Sequence, residues 1–308
     1  MADFIPLMGY TPDREGTDAF LASLARPTLA QAGPDLALDE RKDVNLGHYL
    51  LKVAPDWKRG AQKIGSCVGW GWALAVDVLA ACDVVCRGEP ESYGGDSLAA
   101  ATYGFSRVEA RNQKVNNNGD GSYGGAAARA VTKYGTLHIG QDYNGRVFSE
   151  STGQLEKEWG RNGVPDDLEV FAAEHKVSSV TLCTTFEDAA TAIQNAYPVA
   201  LCSGLGFRMT FEGGLHAGYL TQSGSWAHCQ MILGVRWKPE PALYICNSWG
   251  DCYSGPVDES LPKVFQRCGG WVRAATATRM LSGEDSFALA GYEGFKPRSL
   301  PDWTGGIL

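Results

Sequence analysis

The sequence predicts an α+β protein with two subdomains, one mainly helical and one mainly strand. Three observations predict it: apolar residues at helical spacing gather in the first half, short strand-like runs gather in the second, and the stretch "KIGSCVGWGWALAVDVLAAC" (63–82) supplies one long apolar helix. A chain of 308 residues, 44% hydrophobic and 20% charged, can bury a large core as one large domain or two packed subdomains.

Residues 1–47 form an N-terminal extension rich in Pro, Asp, Ala and Gly, expected to wrap on the surface with one short helix at Thr17 to Leu24. From Lys63 a glycine turn leads into a helix through about Val85, in which Val68, Trp72, Ala75, Val76 and Leu79 recur at helical spacing. Asp77 and Asp83 are its only charges, so it should be almost wholly buried. Residues 87–125 alternate short helical pieces ("SLAAATYGFSRVEARNQ") with the loop "NNNGDGSYGG", and "AAARAVTKYG" follows as a helix with Gly135 at its C-cap. Thr185 to Ala196 opens with a threonine cap and acids in its first turn, then runs through Pro198 into the strand "VALCSG". "HCQMILGVRW", "ALYICNSW" and "GGWVRAAT" read as further strands, and residues 293–308 as a C-terminal tail.

A net charge of -8 gives neither nucleic acid nor an anionic membrane a reason to attract this chain, and no basic stripe offsets it. The N-terminus lacks a charged region followed by an apolar stretch, so no signal peptide is expected, and no window is expected to approach a membrane span. The nine cysteines are odd in number, which favours free thiols in a reducing compartment over a disulfide framework. Cys82 and Cys86 are spaced C-x3-C with no nearby His, so they are expected to be core thiols; no metal or cofactor is expected.

The chemistry starts at Cys67, which heads the apolar helix. A helix N-terminus favours an anion, and a thiol is a competent nucleophile only as thiolate. Downstream, "WAHCQMILGVRW" sets His228 at the start of a strand and "YICNSWGDCYSG" sets Asn247 at the end of the next. An imidazole base needs a third group to fix its tautomer, and an amide oxygen can do this. Cys229 and Cys252 are alternative thiols, but neither begins a helix. His48, His138, His175 and His216 have no partner at ligand spacing, and of them only His216 rivals His228 as base.

"GSCVGWGWALA", "AHCQMILGV" and "CNSWG" resemble the three active-site blocks of papain-like cysteine peptidases, bacterial and phage members included. "YGFSRVEAR...DGSYGGAAARAVTKYG", "FEDAATAIQNAYPVAL" and "GGWVRAA" match in the same order, and the resemblance covers residues 48–292. It implies a papain-like fold: a mainly helical left subdomain and an antiparallel β-barrel-like right subdomain, with the active-site cleft between them. It implies a cysteine peptidase acting on polypeptide through an acyl-enzyme, with Cys67 as nucleophile, His228 as general base and Asn247 as orienter. Trp249 would shield the Asn247–His228 hydrogen bond. Gly124 and Gly125 would present backbone groups to an extended substrate, although a helix-entry turn explains them equally. Trp226 and Ala227 would border the pocket for the side chain second from the scissile bond.

The chain departs from the family at two points. Gln62, the implied oxyanion donor, sits one position closer to the cysteine than usual, and Ile64 stands where secreted members carry a disulfide cysteine. The extension lacks the long helical pattern of their pro-segments, so control of that kind is not expected. Its opening, "ADFIPLMGYTPD", resembles the beginnings of some tailed-phage virion proteins, which implies a cytoplasmic or virion-associated protein docked to a larger assembly through the extension. Two alternatives to a peptidase stay open: an amidase or isopeptidase acting on cell-wall peptides, and a structural protein on the same fold.

Overall fold

The computed structural model describes residues 6–87, 93–112, 119–291 and 294–298. In chain order the elements are α1 (Arg14–Ala22), α2 (Leu29–Ala32), β1 (Val44–Asn45), α3 (Gly47–Val53), α4 (Cys67–Arg87), α5 (Ala99–Arg107) and α6 (Gly124–Lys133). There follow β2 (Asp142–Tyr143), β3 (Arg146–Val147), α7 (Gly153–Asn162), α8 (Asp166–Ala172), β4 (Ser179–Leu182) and α9 (Phe186–Gln194). The last are β5 (Val199–Phe211), β6 (Leu220–Arg236), β7 (Ala242–Cys246), β8 (Gly269–Arg273), α10 (Ala274–Leu281) and β9 (Phe287–Ala290). The fold is thus α+β, with most helices ahead of the main strands and α9 and α10 among them.

The sheet runs β4-β9-β5-β6-β7-β8, with β1 added to β6, and every pairing is antiparallel. It does not close into a barrel: among the described residues β4 and β8 remain as edges. Register shifts in the long β5–β6 hairpin, between Ser203 and Phe211, mark bulges that bend it.

Helix α4 packs against α3 and α5 on the helical side and against β6 and β5 on the sheet side. Its residues Cys67, Val68, Trp72, Ala75, Val78, Ala81 and Cys82 are fully buried, as a helix apolar all round requires. Contrary to the expectation that no window approaches a membrane span, Cys67–Cys86 has the length and apolar character of one, with mean hydropathy 1.6. Two subdomains surround it instead, and 67% of the segment is buried. Asp77 on this helix accepts the Ser97 N–H at 2.8 Å.

Local rules place most boundaries. Thr185 caps α9 with a capping box to Asp188, and Asp13 caps α1, which begins at Arg14, three residues before the expected start. The expected strand "GGWVRAAT" stops at Arg273, where alanines start α10. His228 lies in the middle of β6, not at a strand start, because β5 pairs with residues as far back as Leu220.

The extension is not a surface wrap. Phe20, Leu29 and Val44 enter the core, and Val44 pairs with Val235. In the tail, Tyr197 Oη donates to Lys296 O at 2.7 Å and Arg298 pairs with Asp83 at 2.6 Å; residues 299–308 lie outside the described residues.

Candidate active site

Three elements converge on one point. Cys67 opens α4, His228 comes from β6, and Asn247 follows directly on β7, which is registered on β6 through Met231 and Cys246. His228 Nε2 lies 2.9 Å from Asn247 Oδ1. An amide oxygen only accepts, so Nε2 carries the imidazole proton and Nδ1 is left as the basic nitrogen. Nδ1 has no hydrogen-bond partner. Asn247 Oδ1 also accepts the Ser248 N–H at 2.7 Å, which fixes the amide. The Cys67 sulfur accepts from the N–H of Cys229, the residue after His228, at 3.4 Å.

Aromatic rings cover the pair. Trp249 stacks on His228 with centroids 4.1 Å apart and planes 24° apart, and Trp226 meets Trp249 edge-on at 5.1 Å. Gln62 is buried beside them: its Oε1 accepts from Ser248 Oγ at 2.5 Å, and its Nε2 donates to Ile64 O at 2.8 Å. Ser66, just ahead of the thiol, donates to Glu156 Oε2 at 2.8 Å, and Trp70 Nε1 donates to Glu156 Oε1 at 2.6 Å. A fully buried carboxylate of α7 therefore pins the start of α4. Its burial pushes the carboxyl up to about 7.

The expected thiolate does not form in this arrangement. Burial, together with the neighbouring Cys229 thiol, pushes the Cys67 thiol well up, and the N–H groups of Cys229, Gly9 and Val68 pull it down only in part. Burial lowers the His228 imidazole to about 3. Both groups are neutral, since two charges with no solvent cost more than the helix terminus returns.

The cause of that burial is the chain's own N-terminus. Residues 7–11 run extended over Cys67 between the two subdomains. Gly9 N and Tyr10 N donate to Ala227 O at 3.1 and 3.0 Å on one side. On the other, Ser122 N donates to Gly9 O at 2.9 Å and Thr11 N donates to Ser122 O at 2.8 Å. Leu7 O takes Gln62 Nε2 at 3.2 Å and Trp249 Nε1 at 2.9 Å. Tyr10, itself buried, bonds through its hydroxyl to Asp285. Residues expected to wrap on the surface thus fill the cleft instead.

Gly124 and Gly125 are the first residues of α6. Their N–H groups donate to Asp285 Oδ2 and Oδ1, each at 2.7 Å, and so start α6 on a carboxylate. The main-chain bonds to Gly9 and Thr11 come instead from Ser122, two residues earlier. Asp285 also accepts from Thr17 Oγ1 at 2.8 Å, and its burial raises the carboxyl to about 6. His216, the rival base, pairs instead with Glu240 at 2.9 Å, away from Cys67.

Nothing in the sequence sets apart Glu156, Asp285, Ser122, Ser248 or the segment 7–11. "QLEKEW" and "SGEDSF" look like solvated acids, and only tertiary contacts reveal which one is buried.

No family model and no curated protein matches the chain. Solved structures do. Xylellain, a cysteine protease from Xylella fastidiosa, aligns with TM-score 0.54 and 13% identity over 94% of each chain. Procathepsin B S9 from Trypanosoma congolense aligns with TM-score 0.51 and 12% identity over 96% of this chain and 87% of its own. A structure from work on the mite allergens Blo t 1 and Der p 1 gives TM-score 0.51 and 14% identity, covering 92% and 79%. Likeness of this extent establishes a papain-like fold for the chain.

Proposed function

We propose that the chain is a cysteine peptidase held closed by its own residues 7–11. One observation carries the reading: the cleft over Cys67 already holds an extended peptide, bonded through its main chain to Ser122 on one wall and Ala227 on the other. A groove that grips backbone in this way suits polypeptide as substrate.

Once the segment leaves, water reaches Cys67 and His228 and the cost of charging them falls. His228 Nδ1 then takes the thiol proton, and the sulfur attacks the scissile carbonyl carbon. The oxygen that gains charge is met by Gln62 Nε2 and the Cys67 N–H. His228 returns the proton to the departing amine, leaving an acyl-thioester, which water hydrolyses with His228 again as base. Asn247 keeps Nε2 protonated throughout, so Nδ1 stays the working nitrogen.

The closed cleft also supports a second reading, a structural protein whose site never opens. Deleting residues 1–11 and treating the protein with an epoxide-type cysteine inhibitor separates the two. The peptidase reading expects modification at Cys67 by peptide mapping, absent in the intact chain and in His228→Ala. A folded deletion variant that takes no label, or takes it evenly on several cysteines, favours the structural protein. Unfolded protein against purified cell wall as substrate then separates a peptidase from a cell-wall amidase.

A further inference from the structure

We infer that Cys246 and Cys268 form a redox-modifiable thiol pair, which closes to an intramolecular disulfide under peroxide and acts on the candidate active site through Asn247. The two sulfurs lie 3.6 Å apart, and both residues are buried free cysteines. Neither belongs to the catalytic constellation, and the peptidase reading gives the pair no role.

Three features make the pair a site. The first is access: Cys246 lines a cavity of about 570 Å³, rimmed by the exposed Lys58, Lys63 and Glu150, which is ample for a peroxide. The second is activation. Arg59 lines the same cavity and is fixed by its Nη1 bond to Val264 O at 2.9 Å and its ion pair with Asp251. Burial raises the Cys268 thiol, but contact with Cys246 and the Arg59 charge outweigh it and leave Cys268 below its ordinary value. A largely buried cation beside a thiol is what favours the thiolate that peroxide oxidises. The third is connection: Asn247 follows Cys246, and its N–H donates to Cys268 O at 2.7 Å.

The step balances. The thiolate of the pair, reached through the cavity that Cys246 lines, attacks one peroxide oxygen, the O–O bond breaks, and the departing hydroxide takes a proton as water, leaving a sulfenic acid. The second sulfur displaces hydroxide from that sulfenic sulfur; its proton and the hydroxide leave as a second water. Two thiols are oxidised and one peroxide is reduced. The sulfurs must then close to about 2.05 Å. Because Asn247 is joined to one partner by a peptide bond and to the other by a hydrogen bond, that closure shifts the amide that orients His228.

The disulfide stands apart from the peptidase reading; only its effect on the site rests on it. The test treats the full-length chain with hydrogen peroxide and reads intact mass and a non-reducing peptide map. The expected result is loss of two hydrogens, a single Cys246–Cys268 crosslink reversed by dithiothreitol, its absence in folded Cys246→Ser and Cys268→Ser, and its retention in Cys252→Ser. A crosslink through Cys229 to Cys67 or Cys202, or oxidation without a crosslink, overturns the pair. The effect on the site is read in Gly9→Ala, whose Cβ would clash with the Gly65 carbonyl and lift residues 7–11 off Cys67: the rate of Cys67 alkylation should fall on oxidation and recover on reduction. A crosslinked protein with an unchanged rate overturns the coupling and leaves the redox pair standing.

Discussion

Gly9 and Gly65 pack backbone to backbone across the closed cleft. A Cβ on Gly9 would fall 1.8 Å from the Gly65 carbonyl oxygen, and a Cβ on Gly65 would fall 2.4 Å from that of Met8. No rotamer relieves a clash between Cβ and main chain, so Gly9→Ala must lift the segment away from Cys67. The segment is held by individual hydrogen bonds worth about 1 kcal/mol each net, and losing a few of them opens the site. Gly9→Ala should raise the rate of iodoacetamide alkylation at Cys67 by about tenfold or more, with an unchanged far-UV circular dichroism spectrum. An unchanged rate would mean that residues 7–11 do not limit access to the thiol.

Asp285 ties the segment to the helical subdomain, because its two oxygens gather Thr17, Gly124, Gly125 and the Tyr10 hydroxyl. In Asp285→Asn one oxygen becomes an NH₂ that faces donors, and buried groups lose their acceptor. A loss of roughly 2–4 kcal/mol in urea unfolding is expected, together with faster proteolysis before Thr17. Gly124→Ala should be at least as damaging, since its Cβ would lie 2.1 Å from Asp285 O. If Gly124→Ala instead folds normally and only weakens substrate binding, Gly124 belongs to the cleft wall after all.

Glu156 makes a pH-dependent contribution whose sign is fixed by burial. Its carboxyl ionises near 7 in the folded chain and near about 4.3 in the unfolded one. Between those values the folded form keeps a proton that the unfolded form has released, so stability is greatest below the lower value and falls as pH rises toward 7. Glu156→Gln keeps an acceptor for Trp70 and can donate to Ser66, yet cannot titrate. Relative to the variant, the parent chain should lose roughly 1.4 kcal/mol per pH unit across that window in denaturant unfolding. Parallel curves from pH 4 to 8 would show that Glu156 ionises at the same pH in the folded and unfolded chains.

Local rules made much of this legible in the sequence. The apolar spacing from Val68 to Leu79 identified the buried helix, Thr185 its own helix cap, and the order Cys67, His228, Asn247 the residues that the fold brings together. Long-range pairing was not legible. The open sheet depends on β9 coming back from residues 287–290 to lie between β4 and β5, and β9 is a four-residue run with no distinguishing period. The same reason hid the occupied cleft. "PLMGYTPD" carries no helical or strand pattern, and its conformation is set by Ser122 and Ala227, more than a hundred residues away.

Asn247 orients and does not react, which predicts a graded series in the opened Gly9→Ala protein. Cys67→Ala removes the nucleophile and should abolish labelling, and His228→Ala should reduce it to the rate of an ordinary thiol. Asn247→Ala leaves Nδ1 and Nε2 free to exchange the proton, so a fraction of His228 keeps the working tautomer and about a hundredfold loss is expected, short of abolition. Trp249→Ala lets water compete for the 2.9 Å bond between His228 and Asn247, and its effect should be smaller than that of Asn247→Ala. Because the two residues act through the same imidazole, the double variant should be little worse than Asn247→Ala alone. Additive losses would mean that Trp249 acts on the substrate directly, through the Nε1 that now holds Leu7 O at 2.9 Å.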